Sequence, residues 1–339
     1  MKAIRAHIGK PDLRYEDVPA PELLGPTDVI VRLKAAGFGP DDLLFRGMSK
    51  TNSRLPRIIG RDGAGMISAT GSEVRGLTTG DRVVLYPVIG CGICSFCIGG
   101  EEILCPMLGL LGASRPGTAA EYIAVPAGNC FKIPAGFSFE DAAAVASPFT
   151  IAWRMLVNDG ELIPGEHVLI RAVGLPVAIA ALKIAVHLRA RVIVTAKTEE
   201  HLQKARALGA ETAILETAEF DKELRRLTGK RGVDLAVDCI GGQYWSKTLA
   251  CLAKGGRVVT CAVADTSNPP TDLRRIFWNN LNVFGCTFGD RQDLLQALKF
   301  VEETKIKPVI ARTLPLERAI DDYEDPDQFG STVLQIADS

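Results

Sequence analysis

Four cysteines fall within fifteen residues of one glycine-rich segment. They are Cys91, Cys94, Cys97 and Cys105, in the spacing C-x2-C-x2-C-x7-C. Four thiolates can close tetrahedrally around one zinc ion, and such a set leaves no position open for water or a substrate. An iron–sulfur cluster is the alternative for four close cysteines, but the spacing differs from that of the ferredoxin sequences. The spacing therefore predicts one structural zinc ion per chain, in a lobe over residues 91–105.

The composition describes a soluble protein of a reducing compartment. The chain has 339 residues, nine cysteines and a net charge of −1. Clustered cysteines in such a compartment indicate metal binding rather than disulfides. With no apolar signal segment and no run of eighteen apolar residues, we expect a cytoplasmic protein that binds a small-molecule substrate, not nucleic acid or a membrane. The other five cysteines lie in apolar runs and are predicted core residues: Cys130, Cys239, Cys251, Cys261 and Cys286.

A second pattern that could carry chemistry spans residues 165–211. The apolar run HVLIRA precedes a turn, the helical segment AIAALKIAVHL follows, and the β-branched run RVIVTA comes next. This order predicts a βαβ unit of a buried parallel sheet, where doubly wound folds bind a dinucleotide. The turn at 172–178 keeps only Gly174 of the usual glycines, and Pro176 removes one N–H group that could face a phosphate. A plain βαβ unit without a nucleotide is therefore the alternative for this loop.

The end of the second predicted strand indicates which dinucleotide the fold would take. NAD-specific folds place Asp or Glu there to bind the ribose 2′-hydroxyl group, whereas a 2′-phosphate requires cations and hydroxyl groups. Ala196 stands at this strand end and is followed by Lys197 and Thr198. The sequence therefore predicts NADP(H), with Lys197 as the main discriminating residue. A solvated lysine at a helix start is the alternative.

The elements that position these residues fall into two groups. Short apolar runs with Gly and Pro punctuation fill the first 125 or so residues, as in a small β-rich barrel. Strand and helix patterns then alternate, and the last thirty-odd residues return to short strands. The predicted fold class is α/β, with a β-rich domain over 1–125 and 305–339 and a doubly wound parallel-sheet domain over 126–304.

Four further motifs, together with the cysteine lobe, carry a family resemblance. They are GRDGAG (60–65), GLTTGDRVV (76–84), GTAAEYIAVP (117–126) and VDCIGG (237–242). The chain resembles the medium-chain dehydrogenase/reductase superfamily, which includes the zinc-containing alcohol dehydrogenases and the quinone oxidoreductases. The resemblance implies a GroES-like catalytic domain from both chain ends, a Rossmann domain between them, and a homodimer or homotetramer formed through the Rossmann sheets. The cofactor contacts expected with it are Gly174, Leu175, Pro176, Val177, Thr195, Lys197, Ile240, Ala262 and Gly289.

The sequence departs from this family at the catalytic zinc. Alcohol dehydrogenases hold a second zinc with a Cys, a His and a later Cys, His or Asp. At the corresponding positions this chain has Gly39, Arg61 and Ser147. None of these residues binds zinc well, so an open catalytic zinc site is not expected. The candidate catalytic residues are instead Arg61, Asp62, Tyr86 and Asp42.

Two functions follow from these expectations. The first is NADPH-dependent reduction of an activated C=C bond or a quinone, with Arg61 polarising an oxygen, Asp62 orienting Arg61, and Tyr86 or water supplying the proton. In a structural alternative, Asp62 only caps a turn and pairs with a neighbour. The second function is a redox-inactive family member with a degenerate cofactor loop, which catalyses a non-redox step or acts as a binding protein.

Overall fold

The structure, a computed structural model, describes residues 1–7, 13–23, 25–39, 55–263, 266–320 and 328–337. The chain divides into two compact units: the first unit is Met1–Ser147 with Asp290–Ser339, and the second unit is Pro148–Gly289. The second unit is shorter at both ends than the predicted 126–304. The reason is that the strand at 130–132 pairs with a first-unit strand, and the helix that begins at Arg291 bonds to Glu102.

Most of the described elements up to Trp153 are strands. Its described elements are β1 (Lys2–Ala6), β2 (Leu13–Asp17), β3 (Asp28–Phe38), β4 (Arg57–Ile58), β5 (Gly63–Thr70), β6 (Arg82–Leu85), β7 (Val88–Ile89), α1 (Ser95–Ile98), β8 (Gly109–Leu110), β9 (Tyr122–Pro126), β10 (Cys130–Lys132) and α2 (Phe139–Trp153). Strands β2, β1 and β4 form an antiparallel sheet in that order, and β7 pairs with β8. The predicted β-rich start is confirmed.

Strands and helices alternate through the second unit. Its elements are β11 (His167–Ile170), α3 (Pro176–His187), β12 (Arg191–Ala196), α4 (Glu199–Ala207), β13 (Thr212–Leu215), α5 (Phe220–Leu227), β14 (Val233–Asp238), α6 (Trp245–Cys251), β15 (Leu252–Thr260), α7 (Leu273–Trp278) and β16 (Asn282–Gly285). The strands form one parallel sheet in the order β13-β12-β11-β14-β15-β16. This is the doubly wound sheet that the sequence predicts.

The last elements return to the first unit. They are α8 (Arg291–Thr304), β17 (Ile310–Pro315) and β18 (Ser331–Gln335). Strand β18 lies between β3 and β17 in a sheet of order β10-β6-β5-β3-β18-β17, in which β9 also pairs with β3. Both chain ends therefore build one sheet, as the family resemblance implies.

Apolar strands account for the core of the second unit. Val168, Leu169 and Ile170 of β11 are completely buried, because helices cover both faces of a parallel sheet. Three of the five cysteines predicted in the core are buried: Cys239, Cys251 and Cys286. Cys130 and Cys261 are half-buried. Among the described residues, no helix combines the length and apolar character needed to cross a membrane.

The strand order fixes where a ligand would bind. After β11 the chain turns to β12 on one side, and the strand on its other side, β14, comes later in the chain. Such a switch point opens a crevice outside the carboxyl ends of the strands. Side chains at the ends of β11, β12 and β14 are therefore the candidates for cofactor binding.

Candidate functional site

The four predicted thiolates converge on one point of the first unit. The ligand atoms of Cys91, Cys94, Cys97 and Cys105 all lie within 4.8 Å of one another. Cys94 caps α1, where its Sγ atom accepts a hydrogen bond from the Cys97 amide at 3.5 Å. The Cys91 amide donates to the Cys105 Sγ atom at 3.3 Å. Within the described ranges, this is the one group of three or more Cys, His, Asp or Glu side chains close enough to share a metal ion.

Hydrogen bonds, burial and neighbouring thiols give Cys91 and Cys97 different pKa values. Hydrogen bonds from the backbone amides of Ile93 and Cys94 lower the pKa of Cys91 to about 6. A hydrogen bond from the Gly92 backbone lowers the pKa of Cys97, but burial and the neighbouring thiols outweigh it and raise that pKa to about 11. Four thiolates this close repel one another, and a divalent cation at their centre would stabilise all four in the ionised form. The donor set therefore fits zinc.

A buried glutamate ties this lobe to a distant helix. Glu102 lies between two of the ligands, and its Oε1 atom accepts a hydrogen bond from the Arg291 amide at 2.9 Å. The Arg291 guanidinium donates to Asn129 Oδ1 at 3.2 Å, and Asn129 in turn donates to the Tyr86 and Val88 carbonyls. The first turn of α8 thus braces the lobe. Sequence analysis missed Glu102, since its partner is 189 residues away.

The predicted cofactor loop joins β11 to α3. Gly174 is buried, Leu175 is exposed in an extended conformation, and Pro176 is the first residue of α3. Ala172 has a φ of 55°, a left-handed conformation that glycine adopts without cost. The loop therefore turns at Ala172 through a conformation typical of glycine. A helix N-terminus of this length also favours an anion such as pyrophosphate, so the loop fits the group.

The remaining predicted contacts follow the carboxyl ends of neighbouring strands. Lys197 comes directly after β12 and is exposed, and Ile240 and Ala262 follow β14 and β15. The segments that carry Ile240 and Ala262 are close, because a Cβ atom built on Gly241, the residue after Ile240, would lie 2.8 Å from the Ala262 carbonyl oxygen. Gly289 is buried beyond β16. The second unit thus brings most of the predicted cofactor residues to one sheet edge.

Thr195 has a different role from the predicted one. Its side chain is completely buried, and its hydroxyl group donates to Glu216 Oε2 at 2.6 Å. The same oxygen accepts a hydrogen bond from the Ala172 amide at 3.3 Å. Because the Thr195 hydroxyl group is both donor and acceptor in these hydrogen bonds, it supports the loop at Ala172. The prediction of direct cofactor contact is therefore corrected for this residue.

A buried ionic network lies at the same edge, centred on Arg171. The Arg171 guanidinium is 2.6 Å from Glu216 Oε1 and 2.9 Å from Asp238 Oδ2, and the three side chains are 0 %, 3 % and 0 % exposed. The rings of Phe220 and Tyr244 lie 5.5 and 5.9 Å from the guanidinium carbon. Burial acts to lower the pKa of Arg171, but the two carboxylates outweigh it and raise that pKa. Sequence analysis did not single out Arg171; the available signal was one charge in the apolar run HVLIRA.

Comparisons with known proteins agree with both units. Residues 25–135 match the family described as alcohol dehydrogenase GroES-like domain, and residues 176–303 match the family described as zinc-binding dehydrogenase. The NAD-dependent alcohol dehydrogenase of Sulfolobus acidocaldarius is 31 % identical over 99 % of this chain and 100 % of the relative. The chain belongs to the medium-chain dehydrogenase/reductase superfamily, among the zinc-containing alcohol dehydrogenase-like proteins. It is an oxidoreductase.

Two further relatives extend this likeness. The L-threonine 3-dehydrogenase of Serratia proteamaculans is 32 % identical, over 83 % of this chain and 81 % of the relative. A crystal structure of an NAD-dependent alcohol dehydrogenase superposes with a TM-score of 0.92 at 38 % identity, covering 99 % of this chain and 100 % of that one. The GroES-like and Rossmann domains expected from the sequence are therefore present, and we use these names below.

At the three positions that the family resemblance aligns with catalytic zinc ligands, this chain has residues of other chemistry. Gly39 has no side chain, and Arg61 is a half-buried cation. Ser147 donates both its amide, at 3.1 Å, and its hydroxyl group to Asp62 Oδ1. The Thr118 hydroxyl group also donates to the Asp62 carbonyl at 2.7 Å. Asp62 therefore anchors α2 just before Pro148 through Ser147, whereas its predicted roles in orienting Arg61 or capping a turn stay predictions.

Two other predicted catalytic residues fare differently. Tyr86 is completely buried, and burial raises the pKa of its hydroxyl group, with Glu102 and Asp290 adding to the effect. A buried phenol with a raised pKa is a poor proton donor, so the structure argues against Tyr86 as the proton donor. Asp42 lies outside the described residues.

Proposed function

We propose that this protein is an NADPH-dependent reductase of activated C=C bonds or quinones that works without a catalytic zinc ion. The observation that carries the proposal is the residue set Gly39, Arg61 and Ser147, in which the Ser147 hydroxyl group is already bonded to Asp62. Without a Lewis acid, a simple carbonyl has little to stabilise its developing negative charge. An enone or a quinone spreads that charge over its own conjugated system.

The reaction adds a hydride and a proton across the conjugated acceptor. NADPH bound at the loop after β11 would supply the hydride and be oxidised to NADP⁺. Arg61 is the cation that we propose to stabilise the negative charge on the acceptor oxygen, and water supplies the proton. Asp62 keeps the segment before Pro148 in place through Ser147. Arg61 directly precedes Asp62 in the chain and lies on the same loop.

The preference for NADP(H) rests on the end of β12. Ala196 offers no carboxylate for a ribose 2′-hydroxyl group, and Lys197 is exposed next to it. In the described part of the chain, Lys197 forms no salt bridge that would compete with a phosphate. Gly174 and the first turn of α3 would hold the pyrophosphate, and Ile240 and Ala262 line the same edge. Relatives named NAD-dependent show the other choice that this fold can make.

The proposed zinc ion is structural. Cys91, Cys94, Cys97 and Cys105 would hold it, and four thiolates leave no position for a substrate. All nine cysteines lie outside disulfide bonds, and we propose a cytoplasmic location, where thiols stay reduced. Elemental analysis of chelator-washed protein should return about one zinc per chain. Two equivalents, or iron, would contradict the assignment.

We also propose that two copies associate through the Rossmann sheet. Strand β16 is the edge of that sheet, with Val283 exposed on it, and α7 exposes Phe277 and Trp278 to 64 % and 72 %. An uncovered edge strand beside exposed aromatic residues is unfavourable in water. Pairing of β16 with its copy would bury both features and extend the sheet.

One set of measurements tests the proposed reaction. Purified protein is heated with NADPH, NADH or neither, since a ligand at about 100 times its Kd adds roughly 2.7 kcal/mol to the stability of the native state. NADPH oxidation is then followed with 2-cyclohexenone and with 1,4-benzoquinone, and NADP⁺ reduction with ethanol serves as the control. We expect turnover with the conjugated acceptors and none with ethanol. An inert panel together with no cofactor protection would decide for the redox-inactive alternative.

A further inference from the structure

We propose that Arg171 is a positioning residue, which holds the cofactor loop (residues 172–175) in its binding conformation through Glu216 and Thr195. The proposal rests on the proposed function, since it assumes that this loop binds a dinucleotide. It assigns a task to the buried ionic network of Arg171, Glu216 and Asp238.

The loop needs outside support because of Ala172. Its φ of 55° places an L-residue with a Cβ atom in the left-handed region, where glycine is normally found. Two backbone hydrogen bonds hold the rest of the loop: the Leu175 amide donates to the Ala172 carbonyl at 3.2 Å, and the Val173 amide donates to the Thr195 carbonyl at 2.8 Å. Left to itself, an alanine would favour an extended or right-handed conformation, and the backbone path toward a pyrophosphate would be lost.

A hydrogen-bond chain leads from this residue to the guanidinium. The Ala172 amide donates to Thr195 Oγ1 at 3.3 Å, and that hydroxyl group donates to Glu216 Oε2 at 2.6 Å. The other carboxylate oxygen accepts from Arg171 Nη2 at 2.6 Å. Because Thr195 uses its hydrogen toward Glu216, its lone pair must face the Ala172 amide. Arg171 orients Glu216, and Glu216 and Thr195 in turn hold the backbone of Ala172, the residue that follows Arg171 in the chain.

The second arm of the network holds the loop after β14. Arg171 Nη1 donates to Asp238 Oδ2 at 2.9 Å and to the Gly241 carbonyl at 3.2 Å. Asp238 Oδ1 accepts from the amides of Ile240 and Gly241 at 3.1 and 2.7 Å. Ile240 is one of the predicted cofactor residues. One guanidinium thus connects the loops on both sides of the switch point.

The position of the network indicates that stability is not its main purpose. Three buried charges are costly to desolvate, and apolar side chains of similar volume often serve a core equally well. Arg171 Nε is buried with no hydrogen-bond partner in the described structure, which adds to that cost. The three residues of β11 before Arg171 are apolar and completely buried, so the guanidinium lies just beyond the carboxyl end of this strand, where the cofactor edge begins.

A double-mutant cycle on cofactor affinity tests the inference. The variants are R171M, A172G and R171M/A172G, and the readout is the Kd for NADPH from a fluorescence titration. We expect R171M to weaken NADPH by about 10-fold or more, because the loop loses its preorganisation. Since glycine adopts the left-handed conformation unaided, A172G should restore R171M to within about threefold of the A172G single variant. T195V is a second test, because it removes the hydrogen bonds of the Thr195 hydroxyl group and leaves Arg171 paired with both carboxylates. A172G should restore the NADPH affinity of T195V too.

The control is R257M, which removes an ion pair of the same unit at the other end of β11. Arg257 bonds to Glu166 at 2.6 Å, and Glu166 directly precedes β11. It should lower the melting temperature and leave the Kd unchanged. Equal NADPH affinity in wild type, R171M and T195V, or a loss that A172G does not restore, would overturn the proposal. Absence of NADPH and NADH binding to the wild type would instead overturn the proposed function, and this inference with it.

Discussion

The carboxylate of Asp62 accepts two hydrogen bonds from Ser147, one from its backbone amide at 3.1 Å and one from its hydroxyl group. The two residues are 85 positions apart, and Pro148 follows in the middle of α2. A proline inside a helix removes one N–H donor and crowds the preceding turn. Asp62 gives Ser147, the residue before this proline, an acceptor outside the helix, and so joins the GRDGAG motif to α2.

Replacing Asp62 with Ala should therefore destabilise the protein. The Ser147 amide and hydroxyl group would lose their acceptor in a buried place, which costs about 1–3 kcal/mol. Urea unfolding measures this loss. Ser147→Ala removes only the hydroxyl group and should cost less. If Asp62→Ala abolished turnover and left the unfolding midpoint unchanged, the structural role would be wrong.

Arg61→Ala should lower turnover with an enone by roughly 100-fold, because one preorganised group that stabilises the developing charge is lost. The free energy of unfolding should change by less than for Asp62→Ala. Steady-state kinetics with NADPH provide the measurement, and Arg61→Lys, which keeps the charge, is the matched control. Unchanged turnover in Arg61→Ala would make this side chain structural.

Glu102→Ala should loosen the cysteine lobe. The Arg291 amide loses its buried acceptor, and the first turn of α8 no longer braces the segment between Cys97 and Cys105. Zinc release to a chelator, followed with a colorimetric dye, should become faster by about 10-fold or more, as for other residues that orient metal ligands. The control is Glu101→Ala, at the exposed neighbouring position. Identical release rates for the two variants would speak against the brace.

Lys197→Ala should weaken NADPH more than NADH. A charge-assisted contact to the 2′-phosphate is worth about 1.5–3 kcal/mol, and NADH has no such phosphate. Titration of both cofactors measures the difference. Lys254→Ala, another exposed lysine of the Rossmann domain, should leave the ratio of the two affinities unchanged. Equal losses for both cofactors in Lys197→Ala would refute the assignment.

Phe277→Glu should shift the protein toward the monomer. The change places a charge on the exposed aromatic surface beside β16, where the proposed interface would have to exclude water. Light scattering over a range of concentrations gives the molar mass. Ile163→Glu changes an equally exposed apolar residue outside α7 and β16 and should have no effect. A monomeric wild type would remove the proposal altogether.

Short-range patterns were the part of the site that the sequence could predict. The cysteine cluster spans only fifteen residues, and the βαβ pattern around Gly174 is set by local apolar periodicity. Partners far apart in the chain could not be foreseen: Arg171 meets Glu216 across 45 residues and Asp238 across 67. Burial could not be predicted either: the sequence indicates a pocket residue at Tyr86, and in the structure this side chain is completely buried.

The place of β18 in its sheet has a consequence for the order in which the protein can form. Residues 331–335 form this strand and lie between β3 and β17, so the GroES-like sheet stays open until these residues have been made. Every strand of the Rossmann domain, by contrast, lies within residues 148–289. During synthesis the Rossmann domain can close first, since domains fold as units once their residues have emerged. Residues 1–147 thus leave the ribosome before the Rossmann domain, but their GroES-like sheet is completed after it.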